Sequence, residues 1–324
     1  MGKISRRQVL GASASGILLP SLGAAGPSPS RKRALRIAHL TDIHVQPEKG
    51  APKGMEAAIE HAQGQKDKPD FILTGGDLIM DSFAADADRT KAQWDVFTRV
   101  LTESAEVPVE HTIGNHDVWG WGHGDRHASD PRFGKKWALD VLGLERPYRS
   151  FDRAGWHFVI LDSTYRVGNG YKARLDDEQF EWLQSDLAAV PKRTPIMVVT
   201  HIPILAICSL FDGENEKTGD WVIPGSWIHI DARRIKDLFR KHPNVKLCVS
   251  GHEHLVDQVV LNDVTYFCNG AVCGAWWGGD YYECTYGYAL IDLFDDGSFE
   301  NRYVPYGWKA QADEESPAPL HGLR

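Results

Sequence analysis

Residues 35–44 read Leu-Arg-Ile-Ala-His-Leu-Thr-Asp-Ile-His, a largely apolar run that leads directly into Asp42 and His44. Four further apolar runs, at 71–73, 107–113, 196–199 and 245–249, are each followed by a short polar motif. Continuous apolar stretches of this length suit strands that are covered on both faces. The chain therefore predicts a layered α/β fold whose strands end in chemically active side chains.

These polar motifs draw on a narrow set of side chains. After Asp42 and His44 come Gly76-Asp77, Gly114-Asn115-His116-Asp117, Thr200-His201-Ile202-Pro203 and Gly251-His252-Glu253-His254. Ligands of layered α/β folds gather at the carboxyl ends of strands, so we expect these motifs to meet. The candidate metal ligands are Asp42, His44, Asp77, Asn115, His201, His252 and His254. A set of Asp, Asn and His without a thiol fits two borderline-hard metal ions.

A site for two metal ions needs a carboxylate that bridges them, about 3.5–4 Å apart. Asp77 suits the bridge because it stands alone in its motif, after a glycine that allows close backbone approach. Asp42 and His44, two residues apart, are predicted to share one side of an extended segment, as are His252 and His254. The expected nucleophile is a hydroxide that bridges the metals, because metals lower the pKa of bound water.

The third motif adds a candidate for catalysis. If Asn115 binds a metal, His116 is held beside the two ions, where we expect it to protonate the leaving oxygen or to stabilise charge on the phosphoryl group. Asn115 would supply a neutral oxygen, which leaves net positive charge for an anionic substrate. Asp117 is expected to orient His116 or to brace the loop.

Helical patterns alternate with the predicted strands, at 54–66, 88–104, 176–189 and 232–241. Asp176 and Gln179 have the spacing of a capping box at the start of the third helix. Asp231 is the predicted N-cap of the fourth helix.

The second half of the chain adds antiparallel strands to this βα core. Hairpins are predicted at 256–267, around Asn262-Asp263, and at 288–304. Two mixed sheets packed as a sandwich and flanked by helices follow from these elements. We expect one domain over 35–310 and a flexible tail over 311–324.

The N-terminus resembles an export signal. Arg6 and Arg7 form a twin-arginine pattern, followed by a modestly apolar stretch and the small residues at 23–25. We expect a Tat-type signal peptide at 1–25, a linker at 26–34, and a bacterial protein that is exported to the periplasm or the extracellular space. The apolar stretch is too short for a transmembrane anchor.

Composition limits the partners. The formal net charge is -8, and removal of the leader would make it more negative, so nucleic-acid binding is disfavoured. A small phosphorylated substrate remains compatible, because metal charge dominates locally. The oligomeric state is left open. The five cysteines leave at least one unpaired, and one disulfide is expected among Cys268, Cys273 and Cys284.

Together, the motifs from Asp42 to His254 resemble the calcineurin-like metallophosphoesterase superfamily, and are most similar to its bacterial cyclic-nucleotide phosphodiesterase-type members. The resemblance implies a four-layer αββα sandwich and Fe, Mn or Zn as metals. It places one metal at Asp42, His44 and His254 and the other at Asn115, His201 and His252, with Asp77 as the bridge. It also implies that His116 acts on the phosphoryl or leaving group.

The resemblance leaves the substrate open. A phosphodiester is slightly preferred, a periplasmic phosphomonoesterase is the alternative, and a non-catalytic metal-bound binding module is a third reading. The segment 271–279 is either part of the site rim or structural packing. Aromatic side chains that either stack on a substrate ring or pack in the core are Trp119, Trp121, Tyr165 and Trp276.

Overall fold

The computed structural model describes residues 31–211 and 213–311. The predicted signal peptide at 1–25, most of the linker at 26–34 and nearly all of the tail at 311–324 lie outside the described residues. Among the described residues, no helix has the length and apolar character needed to cross a membrane.

The strands of the described chain form two large sheets and one small hairpin. In chain order they are β1 (Arg33–Leu40), β2 (Phe71–Thr74), β3 (Val109–Glu110), β4 (Arg149–Arg153), β5 (Trp156–Ile160), β6 (Thr164–Val167), β7 (Gly170–Ala173), β8 (Ile196–Val199), β9 (Val245–Ser250), β10 (Val256–Leu261), β11 (Val264–Asn269), β12 (Gly287–Phe294) and β13 (Phe299–Pro305). One sheet has the order β13-β12-β1-β2-β3 and the other β10-β11-β9-β8-β5-β4, with β6 and β7 paired separately. Both large sheets are mixed. In the first, β1, β2 and β3 are parallel and β12 pairs antiparallel with β1. In the second, the parallel strands β11, β9, β8 and β5 lie between antiparallel edge strands.

Within the described ranges, six α-helices accompany these strands. They are α1 (Ala51–Gln63), α2 (Ala87–Ser104), α3 (Lys136–Leu142), α4 (Asp177–Ala189), α5 (Asn215–Thr218) and α6 (Ala232–Phe239). The four helices predicted from sequence correspond to α1, α2, α4 and α6, with boundaries shifted by up to three residues.

Alternating side chains in the strands build the layers. In β8, Met197 and Val199 point into the space between the two sheets, while Ile196 and Val198 contact the helices outside. In β1, Ile37 lies between the sheets and Ala38 faces the helix layer. Successive side chains of a strand point to opposite faces. Because one face is covered by a sheet and the other by helices, both sets are apolar, and the sequence shows a continuous apolar run. The expected four-layer αββα sandwich is therefore confirmed.

The third predicted strand is mostly wrong. The run at 107–113 forms ladder pairs only at Val109 and Glu110, with Ile72 and Leu73 of β2. β3 is the edge of its sheet, and Pro108 lacks the amide that would extend the ladder at the N-terminal end of the strand.

Helix capping follows the prediction only in part. The Asp176 carboxylate accepts the Gln179 amide at 2.7 Å, as a capping box requires. The Gln179 side chain does not reach back; it exchanges two hydrogen bonds with the backbone of Asp162. Asp231 is the N-cap residue of α6, as predicted, but its side chain does not cap the helix, because the carboxylate accepts from Leu175 N and contacts the His229 ring.

The expected disulfide among Cys268, Cys273 and Cys284 is absent, since all five cysteines are free thiols. Each of the three thiols lies in its own environment. Cys268 Sγ donates to Gly251 O at 3.1 Å, Cys273 Sγ contacts His254, and Cys284 Sγ contacts Thr285 O. The hairpin around Asn262-Asp263 is confirmed as β10 and β11, with both turn residues in the left-handed region.

Candidate metal centre

The loops that follow β1 and β2 run side by side beyond the sheet. Asp42 N donates to Gly76 O at 3.1 Å and His44 N to Asp77 O at 2.9 Å. Parallel pairing thus continues past the strand ends and brings the first two motifs together, as expected at the carboxyl edge of a parallel sheet.

The second sheet joins the same centre through its own loops. Gly251 N donates to His201 O at 3.0 Å, which links the motifs after β8 and β9. The backbone amide of His252 then donates to both carboxylate oxygens of Asp42, at 3.0 and 2.9 Å. A Cβ on Gly251 would collide with Thr41 and Asp42, so only glycine permits this approach.

Five of the seven candidate ligands have a left-handed backbone. The φ angles are 53° at Asp42, 45° at His44, 51° at Asp77, 73° at His252 and 55° at His254. Side chains two residues apart therefore do not share one side of an extended segment, and that prediction is wrong. Such conformations are uncommon for residues other than glycine and cost of order 1–3 kcal/mol each, and they cluster at functional sites.

Asp77 lies between two groups of histidines. Its Oδ2 is 3.1 Å from His201 Nε2 and 3.6 Å from His44 Nε2. Its Oδ1 accepts the backbone amide of His116 at 2.8 Å. One carboxylate oxygen thus faces histidines from both sheets, which is the placement that a bridging ligand needs.

The histidine nitrogens converge in two pairs. His44 Nε2 lies 3.2 Å from His254 Nε2, and His254 Nε2 lies 3.4 Å from Asp42 Oδ1. His201 Nε2 lies 3.3 Å from His252 Nδ1. Nitrogens brought this close, beside buried carboxylates, form donor sets for cations.

Backbone carbonyls fix the tautomers of two of these rings. His201 Nδ1 lies 2.8 Å from Gly75 O, and His254 Nδ1 lies 2.7 Å from Gly274 O. A carbonyl can only accept, so in each ring Nδ1 carries the proton and the neutral form presents a lone pair at Nε2. This is the arrangement that metal-binding histidines usually adopt.

Asn115 shows that the site fits a cation. Its side chain is 5% exposed, and its Oδ1 is buried without a hydrogen-bond partner. The residue lies between Gly114, which packs against Asp77, and His116, whose amide binds Asp77. A buried carbonyl oxygen without a donor is costly, and a metal ion would satisfy it.

Burial and neighbouring charges shift the pKa values of these groups in different directions. Burial opposes ionisation of Asp77, but the neighbouring His201 and His116 hold its pKa well below the usual range. Burial likewise disfavours charge on His201, yet the Asp77 carboxylate raises its pKa to about 9. Burial and the nearby His201 lower the pKa of His252 to about 3. A proton on His201 therefore occupies the place that a cation would take.

The other two residues of the third motif have separate roles. His116 Nδ1 lies 2.8 Å from Met80 O, and its ring stands edge-on to His44 with 4.7 Å between centroids. Asp117 braces the loop, since it accepts the amides of Leu78, Ile79 and Gly114. Met80 O, not Asp117, therefore orients His116.

The structure separates the four aromatic candidates. Trp119 and Trp121 are 1% and 8% exposed and pack in the core, while Tyr165 is stacked by Arg174. Trp276 lies at the metal ligands, 4.6 Å from His254 between ring centroids. The segment 271–279 therefore does both: Trp276 borders the site, while Ala271, Val272, Cys273 and Trp277 pack in the core.

Sequence reasoning missed two kinds of participant. The carbonyls of Gly75, Gly274 and Met80 orient histidines, and no sequence pattern identifies a backbone acceptor. Tyr281, with its ring centroid 5.7 Å from that of His254, lies just beyond the segment 271–279.

Comparisons with known proteins agree with this geometry. The family model described as calcineurin-like phosphoesterase matches residues 35–256. The chain is 25% identical over 228 residues to the 3′,5′-cyclic adenosine monophosphate phosphodiesterase CpdA of Escherichia coli, with 68% of this chain and 70% of that protein covered. It is 23% identical over 300 residues to a 3′,5′-cyclic-nucleotide phosphodiesterase of Nostoc sp., with 86% of this chain and 95% of that protein covered.

A solved structure shares the fold. A dimetal phosphatase from Danio rerio superposes with a TM-score of 0.58 at 13% identity, and the match covers 85% of this chain and 100% of that chain. At this identity the similarity shows the fold alone.

We expect protein reconstituted with Mn²⁺ to hold two ions per chain, and His252→Ala to hold about one, because the ring nitrogen of His252 lies beside His201 and not in the His44–His254 pair. The measurement is metal content by mass spectrometry after removal of free metal. His242→Ala, a half-exposed histidine outside the centre, is the matched control and should keep both ions. Two ions in His252→Ala would contradict the ligand assignment.

Proposed function

This chain belongs to the calcineurin-like phosphoesterase family, and we propose that it hydrolyses phosphodiesters at a centre of two metal ions. Membership of the family makes it a metal-dependent hydrolase. The observation that supports two ions is the position of Asp77 Oδ2, within 3.6 Å of histidines from both sheets.

We assign the ligands from these contacts. Asp42, His44 and His254 would hold one ion, and Asn115, His201 and His252 would hold the other, with Asp77 between them. Histidine, carboxylate and amide ligands without thiolate are compatible with Fe, Mn or Zn. When bound, the ions would supply Lewis-acid charge and an activated water.

The chain's own residues prepare the centre for an anionic substrate. Only two of the seven ligands, Asp42 and Asp77, carry negative charge, so two divalent ions would leave the centre positive. Left-handed backbone and buried hydrogen bonds hold both carboxylates in place before substrate arrives. Preorganised charge of this kind stabilises a phosphoryl group without reorganisation during the reaction.

His116 is proposed to protonate the leaving oxygen. Its Nδ1 is held by Met80 O, so Nε2 remains for the substrate. The side chain is 21% exposed, whereas the side chains of His44 and His201 are at most 1% exposed. It therefore stands at the open side of the centre, where a proton can be exchanged with solvent.

A diester is favoured over a monoester by the relatives that carry cyclic-nucleotide phosphodiesterase names and cover more than two thirds of this chain. A phosphomonoesterase would use the same metal ligands, so comparison of diester and monoester hydrolysis is needed to distinguish the two activities. From the export signal predicted at 1–25, we infer that the proposed reaction takes place outside the cytoplasm.

We expect the Mn²⁺-loaded protein to hydrolyse bis(p-nitrophenyl) phosphate in preference to p-nitrophenyl phosphate, measured as kcat/KM. Asp77→Asn should reduce turnover to background, because the amide cannot bridge two cations as a carboxylate does. Asp95→Asn, which removes an exposed acid paired with Lys91, is the control and should retain activity. A clear preference for the monoester would transfer the assignment to a phosphatase, and full activity of Asp77→Asn would exclude the mechanism.

His116→Ala should lower kcat by about 10²–10⁴-fold for a substrate with an alkoxide leaving group, the usual contribution of general acid catalysis. The loss should be smaller for bis(p-nitrophenyl) phosphate, because p-nitrophenolate leaves without a proton. A 3′,5′-cyclic nucleotide supplies the alkoxide case. The metal content of the variant should equal that of the wild type, and His123→Ala serves as the control. Equal losses for both leaving groups would argue against proton transfer by His116.

Export can be tested in a bacterium with a functional Tat system. The full chain is expected in the periplasmic fraction, and Arg6→Lys/Arg7→Lys is expected to remain in the cytoplasm. Immunoblots of fractionated cells measure the distribution. Arg31→Lys/Arg33→Lys changes two arginines outside the motif and should be exported normally. Export of the Arg6/Arg7 variant would refute the twin-arginine assignment.

A further inference from the structure

An aromatic cluster borders the metal ligands on one side. The Trp276 ring lies 4.6 Å from His254 and 6.0 Å from His44 between centroids, and Tyr281 lies 5.6 Å from Trp276. Tyr282, which is 66% exposed, continues the cluster outward at 4.8 Å from Tyr281. We call Trp276, Tyr281 and Tyr282 the aromatic platform.

Trp276 differs in exposure from the tryptophans of the core. Trp119, Trp156 and Trp277 are at most 1% exposed and serve the core. Trp276 is only half-buried, although it has the same large apolar surface. A half-buried indole beside polar ligands keeps part of its ring available to whatever binds there.

The backbone that presents Trp276 is strained. Trp276 has φ of 49°, Trp277 of 70° and Tyr282 of 48°, all in the left-handed region that bulky residues avoid. Three such residues within seven positions persist only where the surroundings enforce them.

Those surroundings are visible in the bonds around the loop. The Trp277 indole donates to His44 O at 3.0 Å, and Gly279 N donates to Tyr286 Oη at 2.8 Å. In α1, Gly54 leaves the space that the Trp277 ring occupies, where a Cβ would collide with it. The loop is therefore fixed to the same backbone that carries His44, and Trp276 is held at a set distance from the metal ligands.

We propose that Trp276 and Tyr281 form a binding subsite for a planar aromatic ring, a nucleobase or an aryl group, attached to the phosphate that the metal centre binds. This inference rests on the proposed phosphoesterase function. A rigid aromatic surface gains affinity from stacking on any π-face and loses little entropy on binding. The subsite would thus select esters that carry a ring, with little discrimination among rings.

The test compares pairs of ligands that share a phosphate and differ in the ring. AMP and ribose 5-phosphate differ in the base, and phenyl phosphate and methyl phosphate differ in the aryl group. Each is measured as an inhibitor of bis(p-nitrophenyl) phosphate hydrolysis by the Mn²⁺-loaded protein. We expect the ring-bearing member of at least one pair to have an inhibition constant lower by on the order of tenfold, as stacking on one aromatic side chain provides.

Variants assign that preference to the platform. Trp276→Leu should bring the ratio of constants close to one, whereas Trp276→Phe should keep most of it. A general loss of metal affinity weakens both members of a pair and leaves their ratio unchanged. Trp182→Leu removes a half-buried tryptophan that packs on Tyr148, and it should preserve the wild-type ratio.

The outcomes separate this proposal from the proposed function. A wild-type ratio near one in both pairs, or a ratio unchanged by Trp276→Leu, would overturn the platform while hydrolysis persists. A preference for the ring-bearing ligand in the AMP pair alone would identify a nucleobase subsite. The same preference in both pairs would identify a general subsite for aromatic rings. If the wild type hydrolyses neither bis(p-nitrophenyl) phosphate nor p-nitrophenyl phosphate, the proposed function fails. Calorimetric titration with the same ligand pairs then measures the ratio of their dissociation constants directly.

Discussion

Two buried carboxylates, Asp42 and Asp77, are the constraint around which the rest of the structure is arranged. Both are at most 2% exposed, and a charge removed from water needs opposite charge or hydrogen bonds around it. Asp42 receives the amide of His252 from the second sheet, and Asp77 receives the amide of His116 and faces His201. Their need for partners therefore joins the loops of both sheets at one edge of the sandwich.

The same need explains where the backbone is strained. An extended chain would direct Asp42 and His44 along a common face, whereas the left-handed turns at both residues fold their side chains towards the second sheet. Buried amides and the Asp117 brace hold the adjacent loops against this strain. The strain is thus a property of the assembled centre, and neither loop would adopt it alone.

Features that arise only in the assembled centre could not be predicted from the sequence. Runs such as 196–199 identify strands because both faces are covered, while β4, β6 and β7 were missed because their faces are largely exposed or mixed. The seven candidate ligands could be selected from residue type and strand ends, and the structure brings them together. The carbonyl of Gly274 could not be selected, and Trp276 could not be separated from three other candidate aromatic residues, since each depends on a tertiary position that no local pattern encodes.

The centre also shows how binding and selection can be divided. Ligands from strand ends are fixed by hydrogen bonds to both sheets, so their positions change only if the sandwich changes. The loop at 271–282 is fixed to the same backbone by the Trp277 indole and by the Tyr286 hydroxyl. The residues of its aromatic platform are not part of the neighbouring β-ladders. Substitutions at Trp276 or Tyr281 would therefore alter which organic group is accommodated while the backbone that carries the metal ligands is retained. A fold built this way can keep one phosphoryl chemistry and vary its substrates through a single loop.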